Sequence, residues 1–167
     1  MSTTLRSAFR AEIGWTWREQ LSALAFTDSN RLSAAEDFSH GGGDGQADRV
    51  WHALEQTLAA GQATYYDLTD LPQSLFGGTI RLVLASVKAL LVVNRAAVGG
   101  LRLGGAGDVG WIGPLGSGAG TLDVPAGSPV LLVHRGAGWP ITSEHKLLKL
   151  QALGSDSQFD LVLLGAG

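Results

Sequence analysis

The chain has 167 residues, a formal net charge of −3 and no cysteine. One domain is the expectation at this length. The lack of cysteine excludes disulfides and thiolate sites, and the weak acidic charge argues against a nucleic-acid-binding protein. We expect no secretory signal, because the N-terminal stretch MSTTLRSAFR contains no apolar segment. We also expect no membrane partner, because the longest apolar run is too short to span a bilayer.

The N-terminal part divides into an arm, a strand and an irregular segment. Residues 1–11 lack periodicity and predict an extended arm, in which Phe9 is the one large apolar anchor. Alternating apolar and polar residues over 12–21 predict a strand. The mixed composition of residues 22–46 predicts an irregular insertion, with a helical turn at 31–38 and a glycine-rich loop near its end.

Residues 77–97 form the longest apolar run, bounded by a pair of glycines on each side. This run predicts one or two central strands buried on both faces. Before it, residues 48–58 and 63–69 favour strands, and residues 70–76 favour a short helical turn closed by glycine. After it, short apolar segments alternate with glycine- and proline-containing turns. These segments predict strands at Leu101–Leu103, Val109–Ile112, Thr121–Val124, Val130–His134, Leu147–Leu153 and Gln158–Leu164.

The fold class follows from the spacing of these segments. The 24 glycines are about twice the usual ~7% frequency, and most of them separate apolar runs rather than interrupt them. Short strands with such regular turns are typical of a sandwich or barrel. The sequence therefore predicts an all-β, antiparallel β-sandwich over residues 12–167, preceded by the arm at 1–11.

Charge is distributed unevenly along the chain. Residues 12–76 carry ten acidic and three basic side chains, whereas residues 77–167 carry seven basic and five acidic ones. One interpretation is a solvated acidic face. The other is a pair of complementary patches on neighbouring copies of the chain, which would favour one register of assembly more than raise affinity.

Two glycine-rich motifs match known signatures in letters but not in context. Residues 105–110 fit GxGxxG, but the Trp-Ile-Gly-Pro that follows cannot open the helix that a dinucleotide fingerprint needs. Residues 42–48 resemble one calcium-binding nonapeptide repeat, yet Ala47 stands where an acid is required and the unit occurs once. A solvated turn is the stronger interpretation, and a loop cation shared by Asp44 and Asp48 stays open.

No catalytic, cofactor-binding or metal-ligating set emerges from the remaining polar residues. The four histidines, at positions 40, 52, 134 and 145, form no HxH or HExxH pair. No GxSxG elbow is present for a serine nucleophile. We therefore predict a protein that is not an enzyme and needs no cofactor.

Five tryptophans and the Tyr65-Tyr66 pair are the most informative side chains. Such residues are most often core or subunit-interface anchors, because they bury large areas and keep a polar tip. The alternative is a row of exposed rings that binds carbohydrate. Trp139 lies in a glycine-rich turn and is the ring we expect to be most exposed. The predicted interface residues are Phe9, Trp15, Trp17, Trp111 and Trp139.

The segment DLTDLPQSLFGGTIRLVLASVKALLVVN at 67–94 carries a resemblance. It is followed by GWIGP, by a Val-Pro-Ala-Gly turn before VLLV, and by FDLVLLG. In this order the motifs resemble a group of tailed-bacteriophage virion proteins with a jelly-roll-like sandwich, found among head decoration (cement) proteins and other small structural proteins. The resemblance covers residues 47–165 and leaves 1–46 unmatched. It implies a jelly-roll-like fold and no catalytic residues.

The resemblance implies a structural protein of a phage particle. We expect a capsid decoration protein that forms a homo-oligomer such as a trimer, contacts the major capsid protein or another virion protein, and is located in the virion. One alternative is a tail, neck or adhesion module that binds carbohydrate through exposed aromatic rings, namely Trp139, Trp111 or the Tyr65-Tyr66 pair. A second is a cupin-like metal-dependent enzyme, which would require His52, His134 and His145 to converge on one point.

Overall fold

The computed structural model describes residues 4–22, 24–75 and 77–167, and its regular structure is almost entirely β-strand. No helix in these ranges has the length and hydropathy needed to cross a bilayer. Two single-turn 3-10 helices lie at Gly107–Val109 and Gly113–Leu115. The thirteen strands, β1 to β13 in chain order, are Ser7–Leu21, Leu24–Phe38, Arg49–Leu58, Ala63–Asp67, Leu71–Leu75, Gly78–Leu82, Ser86–Asn94, Gly100–Gly104, Thr121–Pro125, Pro129–Val133, Trp139–Pro140, Leu147–Leu153 and Ser157–Ala166.

Two sheets pack face to face and form the body of the protein. Sheet I has the order β10-β7-β13-β3, with β11 added beside β7, and sheet II has the order β4-β12-β8-β9. The strand pairs in both sheets are antiparallel. The predicted all-β antiparallel sandwich is therefore confirmed.

The strand pairs of the sandwich are nested along the chain. The innermost pair is β8 with β9, followed outwards by β7 with β10, β4 with β12, and β3 with β13. Two further contacts, β13 with β7 and β12 with β8, join these pairs side by side. The chain from β3 to β13 thus behaves as one long antiparallel ribbon that is rolled into two layers.

The core lies between the two sheets, where every second side chain of each strand points inwards. Leu148, Leu150 and Ala152 alternate with half-buried neighbours along β12. The main buried cluster combines residues of both sheets with the loop residue Trp111. The Trp51 indole also lies in this cluster and donates a hydrogen bond to the carbonyl oxygen of Pro72 at 2.8 Å. Burial of these side chains is the main favourable term that holds the layers together.

The N-terminal forty residues differ most from the sequence-based prediction. The strand predicted at 12–21 exists, but it extends back to Ser7 and pairs only with β2 among the described residues. The predicted arm at 1–11 is therefore partly strand, and residues 1–3 lie outside the described residues. The predicted irregular insertion at 22–46 is wrong over 24–38, which is strand β2 rather than a loop with a helical turn. The sandwich itself begins at β3.

Two further local predictions are wrong. Residues 71–75, predicted within a helical turn, form strand β5, which pairs with β6 in a second short hairpin. Pro72 is tolerated there because a two-stranded sheet leaves one edge of β5 unpaired. Of residues 109–112, predicted as a strand, Val109 ends a 3-10 turn and Gly110 makes a single bridge to Leu147. Phe76, also predicted in the helical turn, lies outside the described residues.

A bulge in sheet I is held by a charged side chain. The register between β13 and β3 shifts between Phe159 and Leu161, and opposite it Glu55 adopts a φ of +55°. The backbone N–H of Glu55 donates a hydrogen bond of 2.8 Å to the carboxylate of Asp160, which also pairs with Arg95. The Glu55 amide and, second, the Arg95 guanidinium hold the pKa of Asp160 below its ordinary value.

We expect Asp160→Asn to lower the free energy of unfolding at neutral pH by about 1.5–3 kcal/mol, the range for a hydrogen bond to a charged group. Because the folded-state pKa of Asp160 is lowered, its contribution is complete above the unfolded pKa of about 3.9 and is lost as pH falls through the folded value. Urea unfolding from pH 7 to pH 2 measures this. The variant and the parent should converge in stability at the acid end, and a constant difference would contradict the assignment.

Candidate interaction surface

The hairpin formed by β1 and β2 has one apolar face and one polar face. Its register pairs Ser7 with Phe38 and continues without a shift to Leu21 and Leu24. Because directly opposed residues share a face, alternate pairs define the two surfaces. The apolar face, so named from here on, carries Phe9, Ala11, Ile13, Trp15, Trp17, Leu21, Leu24, Phe26, Leu32, Ala34 and Phe38.

The opposite face of the hairpin is polar or small. Arg18 lies opposite Thr27, and Thr16 lies opposite Ser29, with their hydroxyl oxygens 3.1 Å apart. On the same face Arg31 forms an ion pair with Glu12 at 3.6 Å. No aromatic or large aliphatic side chain stands on this face in the register of the two strands. The hairpin therefore has the pattern of a sheet built to be covered on one side.

The apolar face is uncovered in the single chain. Every described residue from position 10 to position 37 is exposed. The exposed fraction is 64% for Trp17, 55% for Phe26 and 72% for Leu32. Two-stranded hairpins are marginally stable in water when nothing packs on them, and exposed apolar patches of this extent mark interaction sites. This face is the candidate functional surface.

The base of the hairpin is anchored on the outer face of sheet I. The rings of Phe9 and Phe38 lie with centroids 6.2 Å apart. They belong to a second buried cluster with Ala89 and Leu164 of sheet I, separate from the main core. An ion pair of 3.1 Å between Glu36 and Arg135 joins the hairpin to the loop that follows β10. The apolar face thus meets the sheet at one end only.

The loop between the hairpin and the sandwich is fastened by a buried lysine. Lys88 is fully buried, and its Nζ donates hydrogen bonds to the carbonyl oxygens of Gly43 at 3.1 Å and Gly136 at 2.6 Å. The N–H of Gly45 adds a bond to the carbonyl oxygen of Arg135. The predicted glycine-rich loop is therefore held against the sandwich by hydrogen bonds.

The outer face of sheet I is the second apolar surface of the chain. Side chains that point away from the main core form rows across its strands, one of which joins Leu131, Leu91, Val162 and His52. A groove of about 720 Å³ lies between these rows and the hairpin segment from Ser7 to Ile13. Its lining is mostly apolar: Phe9, Ala11, Ile13, Val50, Ala89, Leu91, Pro129, Leu131, Val162 and Leu164.

The five predicted interface residues occupy three different environments. Trp15 and Trp17 are exposed on the apolar face, and Phe9 is half-buried at the base of the hairpin. Trp111 is 2% exposed and lies in the main core, where its indole N–H donates to the carbonyl oxygen of Pro140 at 3.0 Å. Trp139 is half-buried with its ring centroid 6.3 Å from that of Trp111. Trp111 is therefore a core residue of the single chain.

The rings considered for a carbohydrate platform do not form one exposed row. Trp111 is buried and Trp139 packs edge-on against both Trp111 and His134. Tyr66 packs edge-on against Trp51, and burial raises the pKa of its hydroxyl. Of the four rings Trp111, Trp139, Tyr65 and Tyr66, only Tyr65 is exposed, whereas Trp15 and Trp17 are exposed elsewhere, on the apolar face of the hairpin. The packing of Trp111, Trp139 and Tyr66 therefore counts against a sugar platform built from these four rings.

Two of the three histidines considered for a metal, His52 and His134, are held by other contacts. The ring Nε2 of His52 lies 3.3 Å from Gln73 Nε2, and the ring of His134 packs on Trp139. His145 lies in the loop before β12, and its ring Nδ1 is buried without a hydrogen-bond partner among the described residues. Within the described ranges no three His, Cys, Asp or Glu side chains are placed to hold a metal ion.

Sequence reasoning missed half of the apolar face. Leu24, Phe26 and Leu32 stand on β2, which was predicted as irregular because the composition of residues 22–46 is mixed. The signal that could have found them is the mirror symmetry of the apolar residues on either side of Leu21 and Leu24. Comparison with protein-family models, with curated proteins and with solved structures finds no match to the chain.

Proposed function

We propose that the chain is a non-enzymatic structural protein of a tailed-phage particle, and that it acts as a capsid decoration protein assembled into a homo-oligomer. The observation that supports this best is the long hairpin whose apolar face is uncovered in the single chain. A rigid body with such a projecting element gains stability by packing against neighbours, which strengthens a shell without any chemical step.

The order of the strands supports the jelly-roll part of the proposal. Counted from 1 to 8 in chain order, the main strands β3, β4, β7, β8, β9, β10, β12 and β13 lie in the orders 1-8-3-6 and 2-7-4-5. A two-layer sandwich made by rolling up one nested ribbon is the arrangement that the jelly roll of viral structural proteins takes. The phage context itself rests on the sequence resemblance over 47–165.

Two measurements on the intact protein test this function. Light scattering at several concentrations, with and without a chelator, should give one stable oligomer that the chelator does not change. Gold-labelled antibody against the purified protein should bind the heads of phage particles induced from the source organism. Labelling confined to the tail or neck would relocate the protein within the particle. A monomer that leaves particles unlabelled would overturn the proposal.

A further inference from the structure

We propose that the apolar face of the hairpin tip, residues 15–28, docks on the outer face of sheet I of a second copy of this chain. This inference rests on the proposed function and specifies how the oligomer is built. The hairpin of one copy would lie along the groove of the next, so that the two uncovered apolar surfaces of the chain cover each other.

The contact at the base of the hairpin shows, within one chain, the kind of packing that we propose between copies. There Phe9 and Phe38 pack on the aliphatic outer face of sheet I, and the carboxylate of Glu36 pairs with Arg135 at the margin. The tip of the hairpin carries the same combination of aromatic rings and carboxylates. Trp17 and Phe26 supply the rings, and Glu19 and Asp28 supply carboxylates on the same face.

Charge favours the sheet over a second hairpin as the docking surface. All three charged residues in the register of the apolar face are acidic: Glu19, Asp28 and Glu36. Two apolar faces packed together in register would place these carboxylates near each other, which is unfavourable. Arg95 directly follows β7 and Arg135 lies in the loop after β10, so the two arginines stand near opposite ends of sheet I. They pair with Asp160 and Glu36, and 55% and 51% of their side chains stay exposed.

The length of the hairpin makes its own sheet an unsuitable acceptor for the tip. Fifteen residues per strand give a hairpin of roughly 50 Å, whereas the five to ten residues of each main sheet I strand span roughly 17–33 Å. Because the base is fixed on sheet I through Phe9 and Phe38, the tip extends past the edge of that sheet. A neighbouring copy can offer the same face to it.

The area is sufficient for a specific interface. Five large apolar side chains of residues 15–28 are 42–65% exposed, which corresponds to roughly 600 Å² at about 150–250 Å² per large side chain. One partner of a standard-size complex contributes about 600–1,000 Å², so the tip reaches the lower end of this range. Because the two surfaces are different, the contact is head-to-tail, and such contacts close into rings when the rotation between copies permits.

The cysteine-free chain allows a direct test by cross-linking. Leu24→Cys places a thiol on the apolar face at the tip, and Val162→Cys places one in the middle of the outer face of sheet I. An affinity-tagged copy of one variant is mixed with an untagged copy of the other under mild oxidation, so that a mixed disulfide reports contact between copies. Ala25→Cys is the matched control, because it stands next to Leu24 on the polar face of the hairpin.

The expected result is at least about tenfold more mixed disulfide for Leu24→Cys with Val162→Cys than for the control pair, since bound neighbours hold the two thiols at effective concentrations near millimolar. Disulfides between two Leu24→Cys copies alone would overturn the proposal in favour of hairpin-on-hairpin packing. No preference over the control would also overturn it. If the protein still forms an oligomer that labels particles, only this docking mode fails; a monomer that labels none removes the proposed function as well.

Discussion

Replacing Trp17 and Phe26 together with serine is expected to convert the assembled protein into monomers. Both rings lie on the apolar face and are more than half exposed in the single chain. Aromatic anchors at the centre of an interface typically cost about 2–4 kcal/mol each when truncated, and 2 kcal/mol corresponds to about 30-fold in affinity. Light scattering across a concentration series measures the change, which should reach about 1,000-fold for the pair.

The matched control for this prediction changes the next residue on each strand of the hairpin. Arg18→Ser with Thr27→Ser changes a directly opposed pair on the polar face of the same hairpin and should leave the dissociation constant within about fivefold, as expected when each surface substitution contributes no more than about 0.5 kcal/mol. Thermal unfolding of the sandwich should be the same in both variants when they are compared as monomers. Equal weakening by the two pairs would contradict the assignment of the apolar face as the interface.

The second large effect is expected for Trp111→Ala, which should lower the free energy of unfolding by about 3–5 kcal/mol, the range for truncating a buried aromatic residue. The indole fills the main core, donates to the carbonyl oxygen of Pro140, and lies so close to Gly113 that an added Cβ would be 2.5 Å from the ring. Domains of this kind are stable by only about 5–15 kcal/mol. Urea unfolding monitored by circular dichroism measures the loss.

Trp17→Ala is the control for this core prediction, because it removes the same side chain from the surface. In a monomeric background it should change the unfolding free energy by less than about 0.5 kcal/mol, as is usual for surface positions. A small effect of Trp111→Ala, or a similar effect of both substitutions, would contradict the placement of Trp111 in the core.

The alternation of side chains made the fold class predictable. In residues 147–153 every second residue is buried, and in residues 12–21 the apolar side chains share one face, as their spacing of two requires. These patterns report the local geometry of a strand. They carry no information about which strand is its neighbour, so the nested order of the sandwich could not be derived from them.

The errors have local causes that the structure makes visible. RLSAAEDF has the residue types of a helix N-terminus, but the register with β1 across the whole hairpin overrides that preference, as tertiary pairing often does. The Trp111 segment was predicted as a strand because it is apolar between glycines. It is apolar because a single indole enters the core from a loop, and period-based reasoning cannot distinguish these two cases.

The candidate surface was only half predictable for a related reason. Trp15 and Trp17 were named from residue type, and Phe9 from its isolation in a polar segment. The partner residues on β2 became visible only when the two strands were aligned, because a face is a property of the pair. Trp111 and Trp17 have the same side chain, and the sequence alone did not reveal that one is in the core and the other on the surface.

The nested pairing has a consequence for the order in which the protein forms. The hairpin pairs residues that are close in sequence, and such hairpins form in about 1–10 μs. Sheet I requires Val50 to meet Leu164, and folds with such distant pairs take milliseconds to seconds. At about 5–20 residues per second, roughly 10 s of translation separates the synthesis of β2 from that of β13. In a growing chain the apolar face of the hairpin therefore forms well before the outer face of sheet I exists. The chain can bind the hairpin of a neighbouring copy only after its own sheet I is complete.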